Sequence, residues 1–560
     1  MTRSLVLPFL LWLVLSGHLL ADRIPPLYQF REIPVPEDYH PGRTAGVSAI
    51  NDAGQVCGVV GLEVESGSDL PSDRGYFWDS RENHLIMIHN LYGRGVNFPH
   101  PRGNLSGTED AAPIAVSTPE DINAHGNLAV LDWLDDDNQG FFWSDFDGDG
   151  VDDDNDGILL PTFDYRNDSW AQNGRTFVRG LNDLNQVVGA SSVANPDGSR
   201  KGEHAFIWED TNGNRVAEES EMINLGVFGT DISSRAVRIN NSGMIMGIGS
   251  TSGGGLRGII FEPHPVDGYE NPLVSDIGTL GKNRVTPHDL NEGGIIVGEA
   301  QSSVDNQNHG FVWDETNGMR DLNSLPLQGF ETGWLIATAQ GINDHNVIVG
   351  NFVDDEDNFR PFIIDLDALT FAPLDDLVPP PPDHSRYGAV KGINNLGQIV
   401  GVRFPNSTWI RSYVLTPIDD TDSDGLVDIW EEWELGGTAA YEGGDNPDGD
   451  SFTLEQEMLM ALDPLSFDPP PVVDIATLNQ EQWLTLTYRE TTLTTWAAST
   501  VKESTSLQNF QGYPPDGTTR KLEVIDSDPD GTGSAVLKRY SRKIQDDETA
   551  LFLRLEFIAN

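Results

Sequence analysis

The sequence predicts an all-β chain: a closed seven-bladed β-propeller, a short calcium-loop linker with small helices, and a C-terminal β-sandwich-like domain. Three observations lead there: a turn motif recurring seven times, an aromatic strand that follows each copy, and an N-terminal strand left over from the pattern. The motif copies are AINDAGQVCG (49–58), DINAHGNLAV (121–130), GLNDLNQVVG (180–189), RINNSGMIMG (238–247), DLNEGGIIVG (289–298), GINDHNVIVG (341–350) and GINNLGQIVG (392–401). Their leading residues are Asn51, Asn123, Asn182, Asn240, Asn291, Asn343 and Asn394, and the later copies lie 51 or 52 residues apart. Periods of that length mark propeller-type repeats.

Each element of the repeat has a chemical reason. Three residues after the leading Asn stands Gly54, Gly126, Asn185, Gly243, Gly294, Asn346 or Gly397. Gly and Asn tolerate positive φ, so this position is a left-handed turn corner. The leading Asn closes the turn by bonding the backbone two residues on. An apolar run follows, which makes a hairpin. The Gly that ends the run (Gly58, Gly189, Gly247, Gly298, Gly350 or Gly401, with Val130 as the exception) suits a strand crowded by other backbones.

The second element reads RGYFW (74–78), QGFFW (139–143), HAFIW (204–208), RGIIF (257–261), HGFVW (309–313), RPFII (360–364) and RSYVL (411–415). Its apolar-aromatic triplet packs between layers. Its leading position accepts Arg74, His204, Arg257, His309, Arg360 or Arg411. A place open to either cation is expected to pair with a carboxylate structurally rather than act as a base. A third element, a short strand near Asn90–Leu91, Asn224–Leu225, Asp276–Ile277, Asp321–Leu322 and Asp376–Leu377, brings each unit to four strands. YQFREI (28–33) resembles that element without a unit of its own. Placed beside 411–415 it completes the seventh unit and removes an exposed edge.

INN-x-G-x-IVG, HAFIW and DIGTLG together resemble the repeats of the extracellular HAF family, named after the His-Ala-Phe triplet. The resemblance spans residues 27–417; His309 keeps the His but Gly310 stands for Ala. It implies secretion and a repeat architecture, and it carries no reaction.

Arg3, the apolar stretch Leu5–Leu15 and Ala21 before Asp22 form a secretory signal pattern. The expected division is therefore 1–21 signal peptide, 22–417 propeller, 418–468 calcium-binding linker and 469–560 C-terminal domain, with no membrane span in the mature chain. The single cysteine, Cys57, lies in an apolar run and reads as a small buried hydrophobe. A net charge of -54, from 34 Lys and Arg against 88 acids, excludes nucleic acid as a partner. It leaves many carboxylates for hard cations.

Four segments match the calcium-loop spacing of oxygen ligands at positions 1, 3, 5, 7, 9 and 12. DFDGDGVDDDND (145–156) offers Asp145, Asp147, Asp149, the Val151 carbonyl, Asp153 and Asp156, with Gly150 at the bend. DTDSDGLVDIWE (420–431) offers Asp420, Asp422, Asp424, the Leu426 carbonyl, Asp428 and Glu431, with Gly425 at the bend. DTNGNRVAEESE (210–221) offers Asp210, Asn212, Asn214, the Val216 carbonyl, Glu218 and Glu221, but Arg215 replaces the bend Gly. NPDGDSFTLEQE (446–457) offers Asn446, Asp448, Asp450, the Phe452 carbonyl and Glu457, with Ser451 and Leu454 as departures. The pair of loops after the propeller resembles thrombospondin type-3 or dockerin-like segments. Ca2+ is the expected cofactor.

No G-x-S-x-G, H-E-x-x-H, P-loop or CxxC is present. The expectation is a secreted, monomeric binding or adhesion module at the cell surface, its partner an extracellular polysaccharide or protein. The alternative is a secreted calcium-dependent hydrolase acting on a glycan or a phosphorylated substrate. A central cleft with paired carboxylates or a cationic cluster distinguishes the second from the first.

Overall fold

The computed structural model describes residues 24–25, 27–34, 45–61, 73–80, 84–88, 115–134, 137–152, 156–163, 175–194, 200–378, 386–404, 410–418 and 426–435, with shorter stretches between 441 and 559. The fold is all-β, with many antiparallel sheets and little helix: Asp428–Glu434, of seven residues, and helical residues at Leu454, Glu457 and Met458. Seven four-stranded groups follow one another along residues 28–417. The first runs Ala45–Ile50, Gln55–Gly61, Asp73–Asp79, His84–Ile88, and the next five repeat that order. The fourth and fifth are joined by one parallel pair, Leu256 with Arg284. The seventh takes Arg386–Ile393, Ile399–Phe404 and Arg411–Pro417 from its own repeat, and its last strand, Tyr28–Glu32, from the N-terminus. Tyr28 pairs with Pro417 and Glu32 with Tyr413, so the leftover N-terminal strand sits where the repeat pattern left a gap.

The apolar faces pack sheet against sheet. The seventh sheet meets the first through Val400, Val402 and Val414 against Val47, Val56 and Trp78, with Ile33 joining them. Phe77 of the first sheet lies with Phe141 and Trp143 of the second. Equivalent clusters separate each later neighbouring pair. Cys57 is fully buried in one of them, and that burial, with Asp121 nearby, holds its thiol far above the usual range. It is an inert core residue.

The turn corner forms as the sequence predicts. All seven corner residues have positive φ, from 61° at Asn185 and Asn346 to 85° at Gly243. The Asn bond differs from the expected one two residues on: Oδ1 accepts the backbone N–H of the residue four on in every repeat, at 2.8–3.0 Å, and the two-on N–H joins it at His125, Leu184 and His345, at 3.1 Å. The strand glycines are crowded as expected. A Cβ on Gly58 would stand 2.2 Å from the Gly46 carbonyl oxygen, and one on Gly350 2.2 Å from that of Thr338.

The third element differs in detail. Gly318–Asp321 and Thr370–Pro373 end before the Leu322 and Asp376 marks, which lie in 3-10 turns. The Asp321 carboxylate accepts the Asn323 N–H and so ends the strand there. Its other oxygen takes the cationic partner expected of this place: His309 Nδ1 is 2.7 Å from Asp321 Oδ2, and Arg360 and Arg257 likewise pair with Asp375 and Asp276.

Helix Asp428–Glu434 packs Ile429 and Trp430 with Leu454 and Met458, and this cluster rests on Leu27 and Leu396. The C-terminal strands form a four-stranded sheet ordered Val472–Leu478, Glu481–Thr491, Ala535–Lys543, Arg520–Asp526. A three-stranded sheet orders Gln511–Gly512, Ala497–Ser504, Phe552–Ala559. No helix among the described residues is long and apolar enough to cross a membrane. The signal segment 1–21 and the Pro469–Pro471 linker lie outside the described residues.

Gly397 has φ 74°, and its Cβ site lies 3.1 Å from Pro417 Cγ. Gly397→Val is expected to destabilise by about 1–3 kcal/mol in urea unfolding. Gly397→Asn should stay within about 1 kcal/mol, because Asn holds the same corner in two other repeats. Equal losses for Val and Asn would refute the turn assignment.

Candidate active site

The leading Asn does a second job that its turn role conceals. Its amide Nδ2 donates to the backbone carbonyl oxygen of the leading Asn in the next repeat. The chain of donors runs Asn51, Asn123, Asn182, Asn240, Asn291, Asn343, Asn394 and returns to Asn51, every bond 2.8–3.2 Å. One residue further on, a backbone N–H donates to the side chain at the same place in the next repeat. Asp183, Asn241, Glu292, Asp344, Asn395 and Asp52 accept these bonds, and Ala124 has no acceptor to offer.

Just before each leading Asn, every opening strand carries a β-bulge. The register skips Ser48, Glu120, Arg179, Val237, His288, Gln340 and Lys391. A bulge leaves one residue unpaired and re-aims side chains. Residues from both the bulge position and the next one, which alternation in a regular strand would send to opposite faces, therefore line one cavity. That cavity, of about 200 Å³, is lined by Ser48, Asp121, Arg238, Asp289, Gln340 and Lys391, with the leading Asn291, Asn343 and Asn394 also in its wall.

Its centre is an ion cluster. Asp121 and Asp289 occupy the place two before the leading Asn, where Ala49, Gly180, Gly341 and Gly392 stand in four repeats and Arg238 in another. Arg238 Nε lies 3.6 Å from Asp289 Oδ1, and its Nη1 donates to the Arg179 carbonyl at 2.8 Å. Arg179 in turn pairs with Glu120 at 2.6 Å. Asp121 Oδ2 accepts the Leu181 N–H at 3.0 Å and Asp289 Oδ2 the Ile342 N–H at 2.9 Å, so each carboxylate also ties its strand to the next repeat.

Burial pushes Asp289 up to about 6, against the pull of Arg238 and of the Ile342 and Leu290 N–H groups. Burial moves Asp121 upward as well, with Arg238 opposing. His288 is driven down to about 4 by burial and by the charges of Arg238 and Lys391, so it is neutral near pH 7. A carboxyl that keeps its proton into the weakly acid range, beside a second carboxylate, is general acid and base equipment. None of these residues was a candidate in the sequence. The signal was available at the first letter of each motif copy, which is small in four repeats and charged in the other three.

The metal-loop candidates are placed as follows. Asp145, Asp147 and Asp149 bring carboxylate oxygens within 4.8 Å of one another. Asp145 Oδ2 accepts the Gly150 N–H at 3.0 Å, Asp149 Oδ1 the Val151 N–H at 2.8 Å, and buried Asp156 the Phe146 N–H at 3.1 Å. Asp210, Asn214 and Glu221 repeat these bonds with Arg215, Val216 and Thr211, at 2.9, 2.7 and 3.0 Å. Asn212 Oδ1 accepts the Asn214 N–H at 2.9 Å, and Glu218 caps a 3-10 turn with Glu221. Both loops join the third and fourth strands of their sheets. Glu431 and Glu457, the closing residues of the two later loops, are wholly buried, and Leu426 is buried beside them. Asp428 opens the helix, while Asn446 and Asp448 lie in the turn of the last loop. Asp153, Asp420, Asp422, Asp424, Asp450 and Phe452 lie outside the described residues.

No protein-family model matches the chain, and no curated protein sequence does. Among solved structures it is similar to a puromycin hydrolase complexed with PGG, at 12% identity over 83% of this chain and 61% of that one, TM-score 0.44. A prolyl endopeptidase aligns at 7% identity over 80% of this chain and 55% of its own, TM-score 0.41. The β-propeller domain of the Trilobed protease from Pyrococcus furiosus aligns at 10% identity over 68% of this chain and 98% of the domain, TM-score 0.37. The chain thus spans less than two thirds of the first two proteins. The expectation of a binding or adhesion module is corrected here. The cavity is lined by two carboxyls, Asp121 and Asp289, together with the cations Arg238 and Lys391, and groups of that kind set the hydrolase alternative apart from the binding reading.

A carboxyl raised in the folded state binds its proton more tightly there than in the unfolded chain. The stability it contributes is full below its unfolded value of 3.8 and is lost as pH rises through about 6. Asp289→Asn, which keeps an acceptor for the Ile342 N–H, should flatten the fall in unfolding free energy between pH 4 and 7 by up to about 3 kcal/mol. An unchanged pH slope would show that Asp289 ionises normally.

Proposed function

We propose that the chain is a secreted hydrolase of glycosidic bonds, built on a closed seven-bladed β-propeller of HAF-type repeats, with its reactive groups at the axis. The observation that carries this reading is the pair of carboxyls, buried Asp121 and half-buried Asp289, lining one cavity with Arg238 and with their proton affinities raised by desolvation. The circular run of Asn bonds and the clusters between successive sheets, seventh to first included, support the closed ring.

In this reading protonated Asp289 donates to the leaving glycosidic oxygen as the C–O bond breaks. Asp121, as carboxylate, takes a proton from the attacking water as the new C–O bond forms. Two carboxyls are the usual minimum for this reaction. Arg238 stabilises whichever carboxylate is charged and holds the two groups in register. Only the protonated fraction of Asp289 is competent, so the rate should fall as pH rises through about 6.

Loops 145–156 and 210–221 would each hold Ca2+, and their hard oxygen ligands at EF-type spacing fit that ion. The ion would supply charge balance and stiffness to the second and third sheets, which carry Asp121 and Arg179. The linker loops ending at Glu431 and Glu457 are proposed as two further sites, and the C-terminal strands as a β-sandwich.

Two outcomes are expected. On aryl glycosides, Asp289→Asn and Asp121→Asn should each lower kcat by about a hundredfold or more while leaving the fold intact by circular dichroism. Full activity in both variants would sink the assignment. Separately, calcium should raise the melting temperature by mass action, about 2.7 kcal/mol of stabilisation at a hundred times Kd. Asp147→Ala with Asp149→Ala should remove part of that rise. A melting temperature indifferent to calcium and to chelator would exclude the metal loops.

A further inference from the structure

In the fourth to seventh sheets the third strand carries a cation that meets a carboxylate, and in the fifth that cation can lose its proton. Arg257, Arg360 and Arg411 take the place in the fourth, sixth and seventh sheets and pair with Asp276, Asp375 and Glu32. His309 takes it in the fifth, only 6% exposed, and pairs twice. Its Nδ1 is 2.7 Å from Asp321 Oδ2, and its Nε2 is 3.0 Å from Asp305 Oδ2. Carboxylate oxygens accept and do not donate, so both bonds form at once only when both ring nitrogens carry protons.

Other charged groups on the elements packed against this strand are engaged elsewhere. Glu299 on Ile296–Ser302 accepts from Asn308, and Arg320 on Gly318–Asp321 bonds Asp314. Leu335–Ile342 and Leu322–Ser324 bring no charged residue. Burial alone would lower the imidazole, but the two carboxylates outweigh it and hold it above its usual 6.5.

The two carboxylates are held differently. Asp321 Oδ1 accepts the Asn323 N–H at 2.9 Å and the Asn323 Nδ2 at 3.0 Å, which fixes that group. Asp305 stands in the turn between Ile296–Ser302 and Asn308–Asp314, its side chain 35% exposed. Its Oδ1 accepts the Gln307 N–H at 3.0 Å, a bond within the same turn. A neutral imidazole has one N–H, which stays with the nearer and fixed Asp321. The bare Nε2 then sets a lone pair against the Asp305 carboxylate, and Asp305 is free to turn to water.

We infer that His309 is a pH-sensitive clamp: as an imidazolium it fastens the turn 303–307 to the strand Gly318–Asp321, and on losing its proton it lets the turn go. The link is complete below the ordinary imidazole value of 6.5 and is lost as pH rises through the raised one.

Hydrogen exchange of the full-length protein, corrected for the intrinsic pH dependence of amide exchange, tests it segment by segment. Protection of 302–308 should fall about fivefold or more between about pH 6 and about pH 9, while that of 310–313 holds. His309→Arg, which installs the cation of the sixth sheet, should keep the turn protected over the whole range. Asp305→Ala should leave it weakly protected at every pH. Histidine-selective carbon-13 NMR gives a reading that does not depend on the Arg variant. One imidazole should titrate above 6.5, be missing in His309→Gln, and move down in Asp305→Ala. Protection that is level across pH in the unaltered protein, a pH dependence that survives His309→Arg or Asp305→Ala, or a His309 that titrates at or below 6.5 overturns the clamp.

Discussion

The rest of the molecule depends on one hydrogen-bonding arrangement, the amide of a buried Asn used in two directions at once. Its oxygen closes the hairpin of its own repeat and its nitrogen reaches the backbone of the next. The seven side chains are only 3–6% exposed, so neither end has water as an alternative partner. An unmade bond there costs the full desolvation of a polar group, on the order of 1–3 kcal/mol. No other side chain of that length offers an acceptor and a donor on one planar group. Asp lacks the donor, and Gln places both one carbon further out.

Because each repeat hands its bond to the next, the ring fixes where the opening strands converge, and convergence dictates the sequence beside them. Backbones come close enough there that a Cβ on Gly341 would stand 3.0 Å from Gly392 Cα. Small residues are therefore the structural default at the place two before Asn. Asp121, Arg238 and Asp289 depart from it. A carboxylate partly or wholly out of water at that place is expensive unless its charge is matched, and Arg238 sits beside half-buried Asp289 and acts electrostatically on buried Asp121 as well. The scaffold is the part that repeats, and the chemistry sits where the repeats disagree.

That division also decides how much was readable in the chain itself. The corner residue, the aromatic triplet and the leftover N-terminal strand are local patterns, and each was legible because a few neighbouring residues define it. The acidic loops at 145–156 and 210–221 are local in the same way, each built from one short segment. Asp121 and Asp289 are 168 positions apart. Only the bonds between successive repeats and the bulges bring them to one cavity, and neither leaves a mark in composition. A search for what the seven copies share also discards the variation in which the axial charges are written. The donor half of the Asn ring was hidden differently: an Asn before a turn is fully explained by the turn, and nothing in the sequence calls for a second partner.

The loop at 210–221 shows how a departure from pattern is absorbed. Arg215 occupies the bend where a calcium loop favours Gly, and it adopts φ 60° to keep the loop geometry. A non-Gly residue there costs on the order of 1 kcal/mol. That cost is met by one contact: the Arg215 guanidinium lies 4.1 Å over the ring of Phe146, in the neighbouring loop. That stacking is worth a similar amount. Phe146 is itself packed into the cluster between the second and third sheets with Phe142 and Trp208. The substitution that weakens one loop as an isolated motif therefore fastens it to the other. The two loops brace the pair of sheets whose opening strands carry Glu120, Asp121 and Arg179 to the axis.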